Sequence, residues 1–161
     1  NPTVFEKIKN ITKNNKKKII VIFSFILIII SCFFIYSYYQ QKKNEEISQK
    51  YIKAGIYLSS KDFDRSKAVY KEIILSKNKF YSSLALNNLI ENDLEKNSDE
   101  ILYLFKVVEE INMESDLKDL VKFRKALYLI KIAKVNEGKK LLEEIISNKS
   151  VWSGIASEVA Q

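Results

Sequence analysis

The sequence contains no histidine, one cysteine (Cys32), one proline and three glycines among its 161 residues. Each scarcity removes a class of structure or chemistry. Without His, the commonest general base and the commonest metal ligand are both missing. A single Cys forms no intrachain disulfide and builds no Cys-based metal site. Hairpins and tightly turned sheets draw on Gly, Pro and Asn-Gly turns, and this chain holds too few of them. A composition that is 47% hydrophobic and 29% charged therefore points to helices joined by short polar links. The length suits one ordinary domain with a short appendage.

The net charge of +7, from 27 Lys and Arg against 20 Asp and Glu, is unevenly placed. Residues 1–43 hold eight Lys and one Glu, which is the whole surplus, whereas residues 44–161 hold 19 basic and 19 acidic side chains. A neutral domain offers no basic footprint for a phosphate backbone, so no nucleic-acid partner is expected.

What the chain does have is one long apolar run. Residues 19–39 carry no charge, Gly or Pro, and fourteen of them are Ile, Val, Leu or Phe. As a helix this run spans about 31 Å, matching a hydrocarbon core of roughly 30 Å. Lys16, Lys17 and Lys18 bound it on one side and Lys42 and Lys43 on the other. Tyr36, Tyr38 and Tyr39 gather at its far end, where amphipathic rings suit the headgroup level. A cleaved signal peptide has a shorter apolar region and a small-residue cleavage site, neither of which occurs here. Ile29-Ile30-Ser31-Cys32 resembles a lipobox, the acylation site of bacterial lipoproteins, but the apolar run continues through Phe33, Phe34 and Ile35. The reading is a transmembrane helix at 19–39 that anchors the chain in a lipid bilayer. Lys7, Lys9, Lys13 and Lys16 to Lys18 precede it, against Lys42, Lys43, Lys50 and Lys53 after it. That bias places 1–18 as a basic cytoplasmic tail and residues 40–161 on the outer face.

Residues 40–161 read as helices broken at 59–62, 77–79, 92–99, 112–116, 136–137 and 147–150, with Ser98-Asp99 and Ser115-Asp116 as N-cap regions. Four segments carry apolar or small residues at offsets 0, 3, 4 and 7: Tyr51-Ala54-Gly55-Leu58, Tyr81-Leu84-Ala85-Asn88, Phe123-Ala126-Leu127-Ile130 and Trp152-Ile155-Ala156-Val159. The first three are each followed by a second helix patterned Ser66-Tyr70-Ile73, Ile101-Phe105-Val108 and Gly138-Leu142-Ile145. The pattern resembles the tetratricopeptide repeat, in which a small residue beside an aromatic one lets paired helices pack closely. Three departures stand out: Leu127 at the small position, starts at 51, 81, 123 and 152 around a usual period of about 34 residues, and no Pro at the end of each unit. The expected fold class is all-α, a single N-terminal transmembrane helix followed by a tetratricopeptide-like helical-hairpin array.

A basic tail, one span running into repeat helices, and the segments Phe80-Tyr81-Ser82-Ser83-Leu84-Ala85, Phe123-Arg124-Lys125-Ala126-Leu127 and Trp152-Ser153-Gly154-Ile155-Ala156 together resemble the YfgM-like family. These are ancillary subunits of the bacterial Sec translocon. The resemblance implies a single-pass inner-membrane protein with a periplasmic domain. It also implies translocon subunits, periplasmic chaperones or exported clients as partners.

The carboxylate pairs Glu45-Glu46, Glu109-Glu110 and Glu143-Glu144 are adjacent on helices and point about 100° apart, so they do not converge on one atom. Asp62 and Asp64 lack the other oxygens of a calcium loop, and the three Gly are isolated, so no phosphate loop exists. The sequence therefore assigns no catalytic residue, cofactor or metal, and points to binding. Counting from each aromatic by helical steps gives Ile52, Ile56, Ser82, Leu86, Leu89, Arg124, Tyr128 and Lys131 as a concave face that takes an apolar or extended segment of a partner. The competing reading puts these residues in the core between helices. The competing function is a membrane-tethered scaffold or regulator in envelope assembly or cell division.

Overall fold

The structure is a computed structural model, and it describes residues 16–160. The tail residues Lys7, Lys9 and Lys13, and residue 161, lie outside the described residues. Among the described residues seven helices follow one another: α1 Lys16–Ser59, α2 Phe63–Leu75, α3 Tyr81–Glu91, α4 Ser98–Glu109, α5 Ser115–Lys131, α6 Val135–Ser147 and α7 Ser153–Ala160. Among the described residues there is no strand. The chain divides into two units between Asn44 and Glu45.

The first unit is the apolar part of α1, a helix long and apolar enough to cross a membrane. None of the hydrocarbon side chains from Ile20 to Ile35 is buried, so this is not the core helix of a folded domain. Within the run, Ser31 Oγ donates to the Leu27 carbonyl at 2.9 Å.

The second unit begins with residues 45–59 of α1 and adds the six remaining helices. Each consecutive pair packs side by side. Small residues set the spacing. Ala54, Ala85, Ala126 and Ala156 are all fully buried. At these places a neighbouring helix presents a hydroxyl or a bare backbone. Ser66 Oγ donates to the Ala54 carbonyl at 3.0 Å, Ser82 Oγ to the Ile73 carbonyl at 3.0 Å and Ser153 Oγ to the Ile145 carbonyl at 3.0 Å. At Gly138 there is no side chain, and a methyl placed there would lie 2.8 Å from the Ala126 carbonyl oxygen. Around these contacts Tyr70, Ile73, Ile74, Leu89, Leu104 and Phe105 form one buried cluster, and Phe123, Leu142 and Ile145 a second.

The two clusters are built on one plan. Residues 50–77 and 122–149 correspond at a constant spacing of 72 without a gap. The ion pairs Lys50–Glu72 at 2.7 Å and Lys122–Glu144 at 3.3 Å correspond. So do the buried Ala54 and Ala126, Ser66 and Gly138, Tyr70 and Leu142, and Ile73 and Ile145. Helices α2 and α6 begin and end at the same places in the two stretches. Eight of the 28 paired positions are identical: Lys50, Lys53, Ala54, Lys67, Glu72, Ile73, Ile74 and Lys77 with their counterparts. The next aromatic then packs against the previous one in both: Tyr81 tilted against Tyr51 with centroids 5.5 Å apart, Trp152 stacked on Phe123 at 6.3 Å.

The irregular repeat starts have a physical origin. The links flanking α4, residues 92–97 and 110–114, are longer than 60–62 and 132–134. The first is tied down by Leu94, which is buried, and by Glu95, which accepts from Lys71 at 2.8 Å. The Lys71 ammonium, with the Asn97 N–H, lowers the Glu95 carboxyl to about 2. Two sequence expectations move here. The break expected at 136–137 lies at 132–134, and Asn136 and Glu137 form the first turn of α6, where an acidic side chain opposes the positive end of the helix. The cap of α4 is Asn97, one residue before the expected Ser98; its Oδ1 accepts from Asp99 N at 2.9 Å and Glu100 N at 3.3 Å.

Helix ends explain the glycine shortage. Five ends turn through a left-handed residue, and none is Gly: Lys61 (φ 60°), Lys77 (53°), Asp93 (52°), Ala133 (63°) and Lys149 (52°). In three of them the N–H after that residue closes on a carbonyl five positions back: Asp62 on Tyr57 at 2.9 Å, Leu94 on Leu89 at 3.0 Å, Lys134 on Leu129 at 2.9 Å. An L-residue in this conformation carries a steric cost that Gly avoids. Ala133→Gly is expected to stabilise the folded unit by about 1 kcal/mol, read as a rise in the urea midpoint with an unchanged denaturant slope. A fall in midpoint would contradict this account of the helix ends.

Candidate partner-binding groove

Helices α3 and α5 are brought to one face by α4, which packs on both. Between them lies a hollow of about 180 Å³. Asn87, Ile90 and Glu91 line it from α3; Arg124, Leu127, Tyr128 and Lys131 line it from α5. The α5 positions step by three, four and seven residues, so they form one stripe of that helix. Ile90 and Leu127 give the hollow an apolar wall. Tyr128 forms its floor and is buried, its ring centroid 6.0 Å from that of Phe105.

The charged group of interest is Arg124. Its guanidinium is half-buried, and its Nη1 donates only one long hydrogen bond, 3.5 Å to Ser83 Oγ. Burial pulls its pKa down, and the carboxylate of Glu91 acts against that pull. Among the described residues no carboxylate forms an ion pair with Arg124. A guanidinium stays protonated at any physiological pH, so a partly dehydrated one gains from a carboxylate that enters the groove.

Of the eight residues expected to face a partner, the groove gathers Arg124, Tyr128 and Lys131. Ile52 and Ile56 are exposed on α1 and do not line it. Ser82, Leu86 and Leu89 are buried: Ser82 bonds the end of α2, and both leucines belong to the main core. They take the alternative place between helices, because a step of one residue past each aromatic swings toward the next helix as well as toward solvent. The repeat frame itself shifts. The small residue that packs is three positions after the aromatic in α1 and α5 (Ala54, Ala126) but four after it in α3 and α7 (Ala85, Ala156). Leu127 is thus no failed packing position; it is exposed, in the groove.

Compared with family models, with curated proteins and with solved structures, the chain matches none. The groove is therefore read from its own chemistry. The paired carboxylates are drawn to separate places: Glu109 to Lys125 at 2.8 Å and Glu110 to Lys77 at 2.7 Å. Among the described residues no group of three or more His, Cys, Asp or Glu is placed to hold a metal ion. Asp119 is buried with one oxygen unbonded, in the place that Ile47 fills in the first repeat, but it lines no part of this groove.

A half-buried cation that forms no ion pair is expected to add little to folding. Arg124→Met is expected to leave stability unchanged or to raise it by up to about 1 kcal/mol in thermal unfolding. A loss larger than that would make Arg124 a structural residue.

Proposed function

We propose that this chain is a membrane-anchored, non-catalytic interaction subunit whose helical array holds a carboxylate-bearing, partly apolar segment of a partner protein. The carrying observation is the α3–α5 groove, where the half-buried Arg124 stands beside an apolar wall without an ion-pair partner. The anchor is the apolar part of α1, oriented with its Lys-rich N-terminal side in the cytoplasm and the array on the outer face. In support of a span over lipoprotein processing at Cys32, the helix and its apolar exposed side chains continue well past that residue.

We read the array as tetratricopeptide-like. Two features support this: the 72-residue correspondence, close to twice a period of about 34 residues, and the packing of alternate helices through Tyr51–Tyr81 and Phe123–Trp152. With the basic tail and single span, that architecture is the basis for a YfgM-like role as an accessory of the Sec machinery that assists exported proteins.

A photoreactive residue at Leu127, in the native protein in its own membranes, is expected to crosslink to translocon channel subunits or to chains in export. The same residue at Phe63 is expected to give no such products. The anchored protein should stay with the membrane pellet in alkaline carbonate. Crosslinks dominated by division or envelope-assembly proteins would replace this reading with the scaffold one, and release by carbonate would remove the anchor.

A further inference from the structure

A second hollow, larger than the groove, lies at one edge of the array. It measures about 410 Å³ and is lined by Lys79, Phe80, Asn112, Met113, Glu114 and Leu117. The link before α3 and the link before α5 meet there, tied by Lys77 and Glu110 at 2.7 Å. Phe80 on its rim is 61% exposed, and Val151, which precedes Trp152 as Phe80 precedes Tyr81, is 72% exposed. Leu75 and Leu117 are exposed on the same edge. Lys79 precedes Phe80, Lys149 lies two residues before Val151, and neither forms an ion pair among the described residues.

This is also the edge at which the unit is tethered. The Tyr81 hydroxyl donates to Ser48 Oγ at 2.9 Å, and the Phe80 ring rests on Tyr81 with centroids 5.0 Å apart. Ser48 lies only nine positions after Tyr39, the end of the apolar run. Whatever the pose of the unit, that chain length holds Ser48, and with it Tyr81 and Phe80, within roughly 30 Å of the headgroups. Within the unit, the link 60–62 and Phe63 lie at the other end of its helices.

We propose that this edge rests on the bilayer. Phe80 and Val151 enter the headgroup layer while Lys79 and Lys149 meet lipid phosphates, so that the array is held against the membrane at a second place besides its anchor. Aromatic and aliphatic side chains flanked by Lys are the combination that partitions into an anionic interface. The occupant is lipid, rather than a second copy or a soluble protein, because the tether keeps lipid near this edge at all times. The proposal rests on the membrane reading of α1, and its test separates the two.

The test uses the full chain with Trp152→Phe as background, reconstituted in vesicles of neutral and anionic phospholipid with bromine on the upper acyl chain. Tyr39→Trp reports the anchor, Phe80→Trp and Val151→Trp the proposed contact, and Phe63→Trp, also exposed, the opposite edge. All four sites are solvent-facing, and circular dichroism checks that each variant folds. Expected is strong quenching for Tyr39→Trp, loss of roughly a third of the emission for Phe80→Trp and Val151→Trp at interfacial depth, and almost none for Phe63→Trp. Quenching of Tyr39→Trp with Phe80→Trp and Val151→Trp no different from Phe63→Trp overturns the proposal and leaves the anchor standing. Absence of quenching in all four overturns both. Equal quenching in all four overturns the assignment to this edge.

Discussion

The array depends on how near its helices can come to one another. Between α5 and α6 the approach leaves no room for a methyl at Gly138, which would meet Ile130 Cγ1 at 2.7 Å and the Ala126 carbonyl oxygen at 2.8 Å. Between α1 and α2 the corresponding place holds Ser66, whose hydroxyl turns the same proximity into a hydrogen bond to the Ala54 carbonyl. Close backbones let Tyr70, Phe105, Leu142 and Ile145 interdigitate with little solvent exposure. They also place the outer stripes of α3 and α5 side by side, which makes the groove. Wider spacing would remove both, since side chains packed to crystal-like density tolerate no gap.

Helix ends and surface charge follow from the same economy of residues. With three Gly in the chain and none in a turn, the ends use Lys, Asp and Ala in the left-handed conformation. Lys and Glu then fasten neighbours: Lys50 to Glu72, Lys71 to Glu95 and Glu100, Lys125 to Glu109, Lys122 to Glu144. Such exposed pairs contribute little each. Their value lies in register, because each joins a different pair of elements and none duplicates another. Arg124, by contrast, lines the groove without forming an ion pair.

Much of this was legible in the sequence. The apolar run, the all-helical class and most of the helix breaks follow from composition and from steps of three and four. The aromatic and small residues at 51, 54, 81, 85, 123, 126, 152 and 156 marked the repeat before any contact was seen. The frame was harder to read. An amphipathic stripe cannot distinguish a small residue at offset three from one at offset four, so Leu127 was assigned to a packing place. The same ambiguity puts Ser82, Leu86 and Leu89 on a binding face, although a helix packed between two neighbours is covered on two sides and its apolar residues outnumber any one surface. The groove residues Asn87 and Glu91 carried no signal, since polar positions on a helix look alike until a neighbour is placed beside them. The left-handed helix ends were hidden for a simpler reason, the absence of the Gly that usually announces them.

One comparison tests the close approach most directly, because the same substitution is made at two helical glycines with different surroundings. A methyl at Gly55 would touch nothing within 4 Å, whereas a methyl at Gly138 collides with backbone. Gly55→Ala should stabilise the protein by about 0.5–1 kcal/mol through helix propensity alone. Gly138→Ala should destabilise it by about 1–2 kcal/mol, overpacking outweighing the same propensity gain. Denaturant unfolding of the two variants beside the parent protein decides the matter: opposite signs support the account, and a stabilising Gly138→Ala would contradict it.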